Sequence, residues 1–138
     1  MKLNRRSGFT LLEIIIVIII VGVLASLALP RFFSTVEFSR STEALTSMST
    51  VRQSIERCYI ASNNNYSSCI IGAIDVENPG ISPGAHFTYV VTVAPTTFRI
   101  VAQRNAVNAG DGTSTISLGG SSGAGVARSG SGVFVGIK

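Results

Sequence analysis

Hydrophobic residues are concentrated in one stretch near the N-terminus. From Phe9 to Leu29 the chain reads FTLLEIIIVIIIVGVLASLAL, 21 residues in which Glu13 is the only charge. As an α-helix this stretch would be about 31 Å long, which matches the hydrocarbon thickness of a bilayer. Its β-branched residues would also suit a strand, but the length and uninterrupted apolarity predict a membrane-spanning helix.

A second apolar pattern follows Pro30 and predicts an amphipathic helix that continues to about Ser62. Apolar residues recur there at steps of three and four, the spacing of one helix face. These residues are Ala44, Leu45, Met48, Val51, Ile55, Cys58 and Tyr59. The run Asn63–Asn65 then ends the helix, because Asn favours turns and helix C-caps. We predict one helix from about Phe9 to Ser62, bent near Pro30, where proline removes a helical N–H.

Past residue 84 the spacing changes to the two-residue alternation of β-strands. Alternating segments at 87–93 and 98–103, separated by a turn at Pro95, predict a hairpin whose apolar face packs on the helix. The predicted fold class is therefore α+β, with a long kinked N-terminal helix packed on a small antiparallel sheet of three to four strands.

The remaining strands are harder to place. We expect a third strand over Ser114–Leu118 and a short fourth strand over Val133–Ile137. The segment Gly119–Gly132 between them is rich in Gly and Ser, which predicts a flexible surface loop. No Gly-Lys-Ser/Thr follows these glycines, so the segment does not fit a phosphate-binding loop.

Composition and charge reduce the number of functions that the chain could have. The 138 residues suit one small domain, and 13% charged residues is about half of what soluble domains carry. The net charge is +4, but Lys2, Arg5 and Arg6 precede the apolar stretch. These residues predict a cytoplasmic N-terminus. The rest of the chain is nearly neutral, so we expect no nucleic-acid partner.

Candidate chemistry is sparse. The chain has one His, His86, which we expect to be a solvated strand residue, and two Cys. No spacing of Ser, His and Asp suggests a catalytic group, so we predict no enzyme, no catalytic residue and no cofactor. Two Cys and one distant His do not make a zinc site, and no metal is expected.

Two features argue against an ordinary secretory signal, although Ala25, Ser26 and Ala28 would suit a cleavage site. The apolar stretch exceeds the usual length of about 7–15 residues for a signal core. It also contains Glu13, and a carboxylate in such a segment is costly, although less so near the membrane edge.

The sequence Gly8-Phe9-Thr10-Leu11-Leu12-Glu13, between a short basic leader and a long apolar helix, resembles the signature of type IV prepilins. That family includes type IV pilins and the pseudopilins of type II secretion. The resemblance implies that prepilin peptidase cleaves between Gly8 and Phe9 and methylates the new terminus at Phe9. Removing eight of the 138 residues leaves a mature chain of 130.

The resemblance also implies a layout: a cleaved leader at 1–8, a transmembrane and filament-core helix at 9–30, the amphipathic half of the helix at 31–62, and a globular head at 63–138. Gly22 and Pro30 are expected to weaken or kink the helix. The precursor would be a single-pass inner-membrane protein that meets an assembly platform. It would then join a periplasmic or extracellular homo-oligomeric helical filament.

The resemblance also implies that Glu13 acts in filament assembly. When the apolar helices bundle, the Glu13 carboxylate of one subunit meets the Phe9 ammonium group of a neighbour. Leaving either charge unpaired in an apolar core is costly, so the pair would set the axial register. The alternative is a chance carboxylate near a helix end, in a membrane-anchored extracytoplasmic binding domain that never polymerises.

Cys58 and Cys69 bracket the Asn-rich turn. In a segment exported to an oxidising compartment we expect them to form a disulfide, with two unlinked thiols as the alternative. Asn65-Tyr66-Ser67 fits the glycosylation sequon, but this short match is weak.

Overall fold

A computed structural model describes residues 8–138. The chain divides into two compact units, of which the first ends at Val36 and the second, here called the head unit, is Glu37–Lys138. A single long helix begins in the first unit, and an antiparallel sheet follows in the head unit. The predicted α+β fold class is confirmed.

Helix α1 runs from Leu11 to Ala61, close to the predicted bounds. It contains Pro30 in its interior, although proline lacks the N–H that would bond to the Ser26 carbonyl. Asn63 and Asn64 follow with φ values of 55° and 61°. Asn adopts this left-handed conformation more readily than most residues, which explains why the helix ends before these two positions.

Four strands form one sheet in the order β1-β2-β3-β4, with every neighbouring pair antiparallel. Strand β1 is Phe87–Ala94, β2 is Thr97–Arg104, β3 is Thr115–Ser121 and β4 is Ala127–Gly130. Strands β1 and β2 pair from Phe87↔Arg104 to Ala94↔Thr97, so the predicted hairpin is confirmed.

Two predictions about the C-terminal part are wrong. The fourth strand is Ala127–Gly130, inside the segment we expected to be a loop, and the predicted strand Val133–Ile137 begins within a 3₁₀ turn, Gly132–Phe134. Cross-strand hydroxyl contacts hold the Ser-rich segment in the sheet, with Ser117 Oγ 2.7 Å from Ser129 Oγ. The third strand is also longer than predicted, because it continues through Gly119 and Gly120 to Ser121.

The core of the head unit lies between the amphipathic part of α1 and one face of the sheet. The helix contributes Ala44, Met48, Val51 and Ile55, all completely buried. The sheet and its flanking segments contribute Phe87, Tyr89, Phe98, Ile100, Ala102, Ile116, Leu118 and Phe134. The predicted apolar helix face is therefore confirmed as the face that packs.

Candidate functional site

The apolar part of α1 exposes its side chains. The helix is long and apolar enough to cross a membrane, and none of the residues in its most apolar segment is buried. Apolar side chains lie exposed on all sides from Leu11 to Leu29, whereas those from Ala44 to Ile55 pack in the core of the head unit. A helix with apolar residues all round requires a lipid or protein environment.

The helix begins with a side-chain cap. Thr10 Oγ1 accepts a hydrogen bond of 3.2 Å from the Glu13 backbone N–H, which makes Thr10 the N-cap. Glu13 lies in the first turn, where a carboxylate interacts favourably with the positive end of the helix dipole. The Thr-x-x-Glu spacing of a capping box is thus present, a signal that our sequence reasoning missed.

The other predicted residues of this segment lie close by or within the helix. Gly8 and Phe9 precede the capping residue, and the Phe9 side chain is 77% exposed. Gly22 and Pro30 both lie inside α1, and a methyl group added at Gly22 would meet nothing within 4 Å. The predicted cleavage site is therefore an exposed segment two residues before the helix begins.

A buried arginine joins α1 to the sheet within the head unit. The Arg104 side chain is fully buried, and its Nε donates a 3.0 Å hydrogen bond to Glu37 Oε2. Arg104 Nη1 also donates to three backbone carbonyl oxygens, at His86, Asn105 and Val107. Sequence reasoning gave Arg104 no role, because the alternating segment at 98–103 ended one residue before it.

Electrostatics around Glu37 favour its ionised form. Burial raises the pKa of the Glu37 carboxyl, but hydrogen bonds and charges from Arg104 and Arg40 outweigh burial and hold the pKa below its ordinary value. A second contact joins the same regions, since His86 Nδ1 lies 3.2 Å from Glu43 Oε2. The expectation of a solvated strand histidine was wrong, because His86 precedes β1 and contacts the helix.

The two cysteines lie where the helix ends. Cys58 and Cys69 form a disulfide with their Cα atoms 5.8 Å apart. Cys69 is fully buried in the core, and the bond holds the segment after α1 against the helix. Within residues 8–138, no group of three or more His, Cys, Asp or Glu side chains is placed to hold a metal ion.

Comparison with known proteins places this N-terminal arrangement in a family. The family model described as the prokaryotic N-terminal methylation motif matches residues 3–29, which include Gly8, Phe9 and Glu13. Core protein G of the type II secretion system from Aeromonas hydrophila is 36% identical over 66 residues, which cover 48% of this chain and 46% of that protein. These matches support the type IV pilin and pseudopilin family for this chain.

Further relatives come from both branches of the pilin family. The type IV major fimbrial protein FimA of Dichelobacter nodosus is 31% identical over 69 residues, covering 50% of this chain and 44% of that protein. The fimbrial protein of Moraxella nonliquefaciens is 32% identical over 79 residues, covering 57% and 48%. The matched part of this chain thus spans about half the length of these relatives. No solved structure matches the chain.

Proposed function

We propose that this chain is a precursor of a structural filament subunit, either a type IV pilin or a type II secretion pseudopilin. Prepilin peptidase removes residues 1–8, methylates Phe9, and leaves the apolar helix as the anchor and later as the filament core. The assembly platform of the inner membrane then transfers subunits from the bilayer into a periplasmic or extracellular filament. The chain acts structurally rather than as an enzyme.

The observation that carries this proposal is the fully exposed apolar part of α1, with one carboxylate in its first turn. A bilayer covers such a surface before assembly, and the same surface on other subunits covers it afterwards. A cleaved signal sequence would be lost, but cleavage before Phe9 keeps this helix.

Glu13 supplies the register of assembly in this proposal. The Phe9 amine, four residues earlier, becomes the mature N-terminus, and N-methylation leaves it a basic amine that is protonated at neutral pH. In a core of apolar helices, an unpaired carboxylate or ammonium group costs several kcal/mol, so Glu13 of one subunit pairs with the Phe9 amine of the next. Axial offsets between neighbouring helices that separate Glu13 from the Phe9 amine are therefore disfavoured.

Mass spectrometry of the full-length protein from its host tests the processing step. The expected result is a mature chain that begins with N-methylated Phe9 and lacks residues 1–8. An unmethylated start at another residue would contradict the proposed processing. Sheared surface or periplasmic material from the same cells should contain the mature chain as a polymer.

A second candidate is a membrane-anchored head that does not polymerise. The Thr10 cap favours it, because the Thr-x-x-Glu spacing suits a capping box in which the Glu13 carboxylate would have a local role without a neighbour. Glu13→Leu separates the two. The variant should stay in the membrane in both cases, but only a filament subunit loses its polymer.

A further inference from the structure

Most carboxylates of the described residues 8–138 have partners within the chain. Five acidic residues make ion pairs or hydrogen bonds: Glu37, Glu43, Glu56, Asp75 and Asp111. Glu13, in the apolar helix, and Glu77, in the head unit, make none in this part of the chain. Glu77 is therefore the one side-chain carboxylate of residues 37–138 without a partner among residues 8–138.

Two arginines without ion-pair partners line one cavity of the head. The cavity has a volume of about 440 Å³ and lies at the end of the sheet near the β1–β2 turn, with Arg99 and Arg128 among its lining residues. Neither arginine makes an ion pair or hydrogen bond within residues 8–138. No acidic residue lines the cavity, whose other polar groups include the hydroxyls of Thr92, Ser117 and Ser129.

The sheet register keeps the space beside Arg99 open. Arg99 pairs with Thr92 on β1 and with Gly119 on β3, and Gly119 pairs with Ala127 on β4. A methyl group added at Gly119 would meet the Phe98 carbonyl oxygen at 3.4 Å and Arg99 Cγ at 3.9 Å, both ordinary van der Waals distances. Arg99 is thus an exposed residue of a central strand with Gly119 and Ala127 in register beside it, and a carboxylate can approach it.

Glu77 is held on a rigid part of its loop. The next residue, Asn78, accepts a 2.9 Å hydrogen bond from the Gly80 N–H and caps the 3₁₀ turn Pro79–Ile81. This turn packs on β1 so closely that a Cβ at Gly80 would lie 3.1 Å from the Phe87 carbonyl oxygen. The backbone that carries the exposed Glu77 side chain is therefore ordered before a partner binds.

We propose that the Arg99 cavity of one head receives the Glu77 carboxylate of a second copy of this chain. The inference rests on the proposed filament function, since only a polymer brings heads together repeatedly. Charge complementarity identifies the occupant, because within residues 8–138 of each copy neither the Glu77 side chain nor Arg99 in the cavity makes an ion pair. Such a head-to-tail contact repeats along an open filament without a two-fold axis.

A charge swap tests this contact in cells that express only the full-length variant. Arg99→Glu places like charges opposite each other, as does Glu77→Arg, and each should reduce the subunit in sheared filaments at least about tenfold. The double variant Arg99→Glu/Glu77→Arg should restore most of the wild-type amount. Total subunit in the membrane is measured in parallel and should be unchanged, since both side chains are exposed.

The matched control moves the same charges outside the cavity. Lys138 is exposed and makes no ion pair in the described chain, so Lys138→Glu/Glu77→Arg has the same net charge as the swap but should not restore filaments. If a reversed variant fails to accumulate, Arg99→Gln, Glu77→Gln and their double variant are compared instead. The two single changes should then weaken assembly by similar factors, with no further loss in the double variant.

The outcomes separate this inference from the function on which it rests. Filaments at the wild-type level in both single reversals would overturn the contact, and so would a swap that restores no more than the Lys138 control. In both cases wild-type filaments would still support the proposed function. Absence of the wild-type chain from sheared filaments would refute that function and the contact with it.

Discussion

Arg104 Nε lies 3.0 Å from Glu37 Oε2, joining the last residue of β2 to the first residue of the head unit on α1. The arginine side chain is fully buried and the glutamate side chain is 18% exposed. A buried guanidinium is tolerated only with charge and hydrogen-bond partners, which Glu37 and three carbonyl oxygens supply. Within the head unit, this contact joins the part of α1 that begins at Glu37 to the sheet.

Removing the Glu37 carboxylate should therefore lower the free energy of unfolding more than removing the Arg104 side chain. Glu37→Ala leaves the buried Arg104 charge without its anion, and we expect a loss of about 3 kcal/mol in the free energy of unfolding. Arg104→Met removes the charge together with its need for partners and should cost less. Chemical denaturation of the full chain in detergent, followed by near-UV circular dichroism of its three Tyr residues, measures both. A larger loss for Arg104→Met would contradict this interpretation.

Head stability should fall in acid through Asp111. Its carboxylate accepts hydrogen bonds from the Ser114 side chain and from the backbone N–H groups of Ser114 and Thr113, which lower the pKa from 3.8 to about 2. Because the folded pKa lies below the unfolded one, this contribution is complete above about pH 4 and is lost as the pH falls towards 2. Asp111→Asn should be destabilised at pH 7 and approach wild type near pH 2. A difference that does not depend on pH would exclude this role.

The disulfide should stabilise the end of the helix. Cys58 and Cys69 are 11 positions apart, and closing a loop of this size contributes about 3 kcal/mol by chain entropy. The Cys58→Ser/Cys69→Ser variant should lose about that amount in denaturant unfolding. Reduced wild-type protein is the matched control and should unfold near the same midpoint as the double variant. Equal stability of oxidised and reduced wild type would contradict the prediction.

The turn at Gly132–Phe134 should depend on glycine at position 132, and Gly123 is the matched comparison. Gly132 has φ 63°, and a methyl group there would overlap the Ser114 side chain, whereas Gly123 has φ 81° and open space around it. Both substitutions to Ala strain the backbone, but only Gly132→Ala adds a steric clash. We expect Gly132→Ala to be less stable by a further 2 kcal/mol or so. Equal unfolding midpoints of Gly132→Ala and Gly123→Ala would contradict this prediction.

Patterns within one element were predictable from the sequence, and contacts between distant segments were not. The step of three and four residues identified the packing face from Ala44 to Tyr59, because burial of one helix face repeats along the chain. The fourth strand escaped prediction because Ala127–Gly130 has neither bulk nor alternation. It pairs through hydroxyl contacts such as Ser117–Ser129, which only the register brings together.

The candidate site divides in the same way. The Gly8–Glu13 signature is contiguous, so it could be recognised in the sequence as a motif. The Thr10 cap was also readable from its three-residue spacing, but the resemblance drew attention to the Glu13 charge alone. Arg104 and Glu37 lie 67 positions apart, and neither residue type at either position predicts the other.

The amount of subunit in sheared filaments from cells that express only Glu13→Gln tests the central claim most directly. Gln keeps the length of the side chain and the capping spacing to Thr10 but removes the charge. The matched variant Thr10→Ala removes the cap and keeps the charge. We predict at least about tenfold less filament for Glu13→Gln and near wild-type filament for Thr10→Ala, with membrane levels of both unchanged. Wild-type filament from Glu13→Gln would contradict a role for the Glu13 charge in joining subunits.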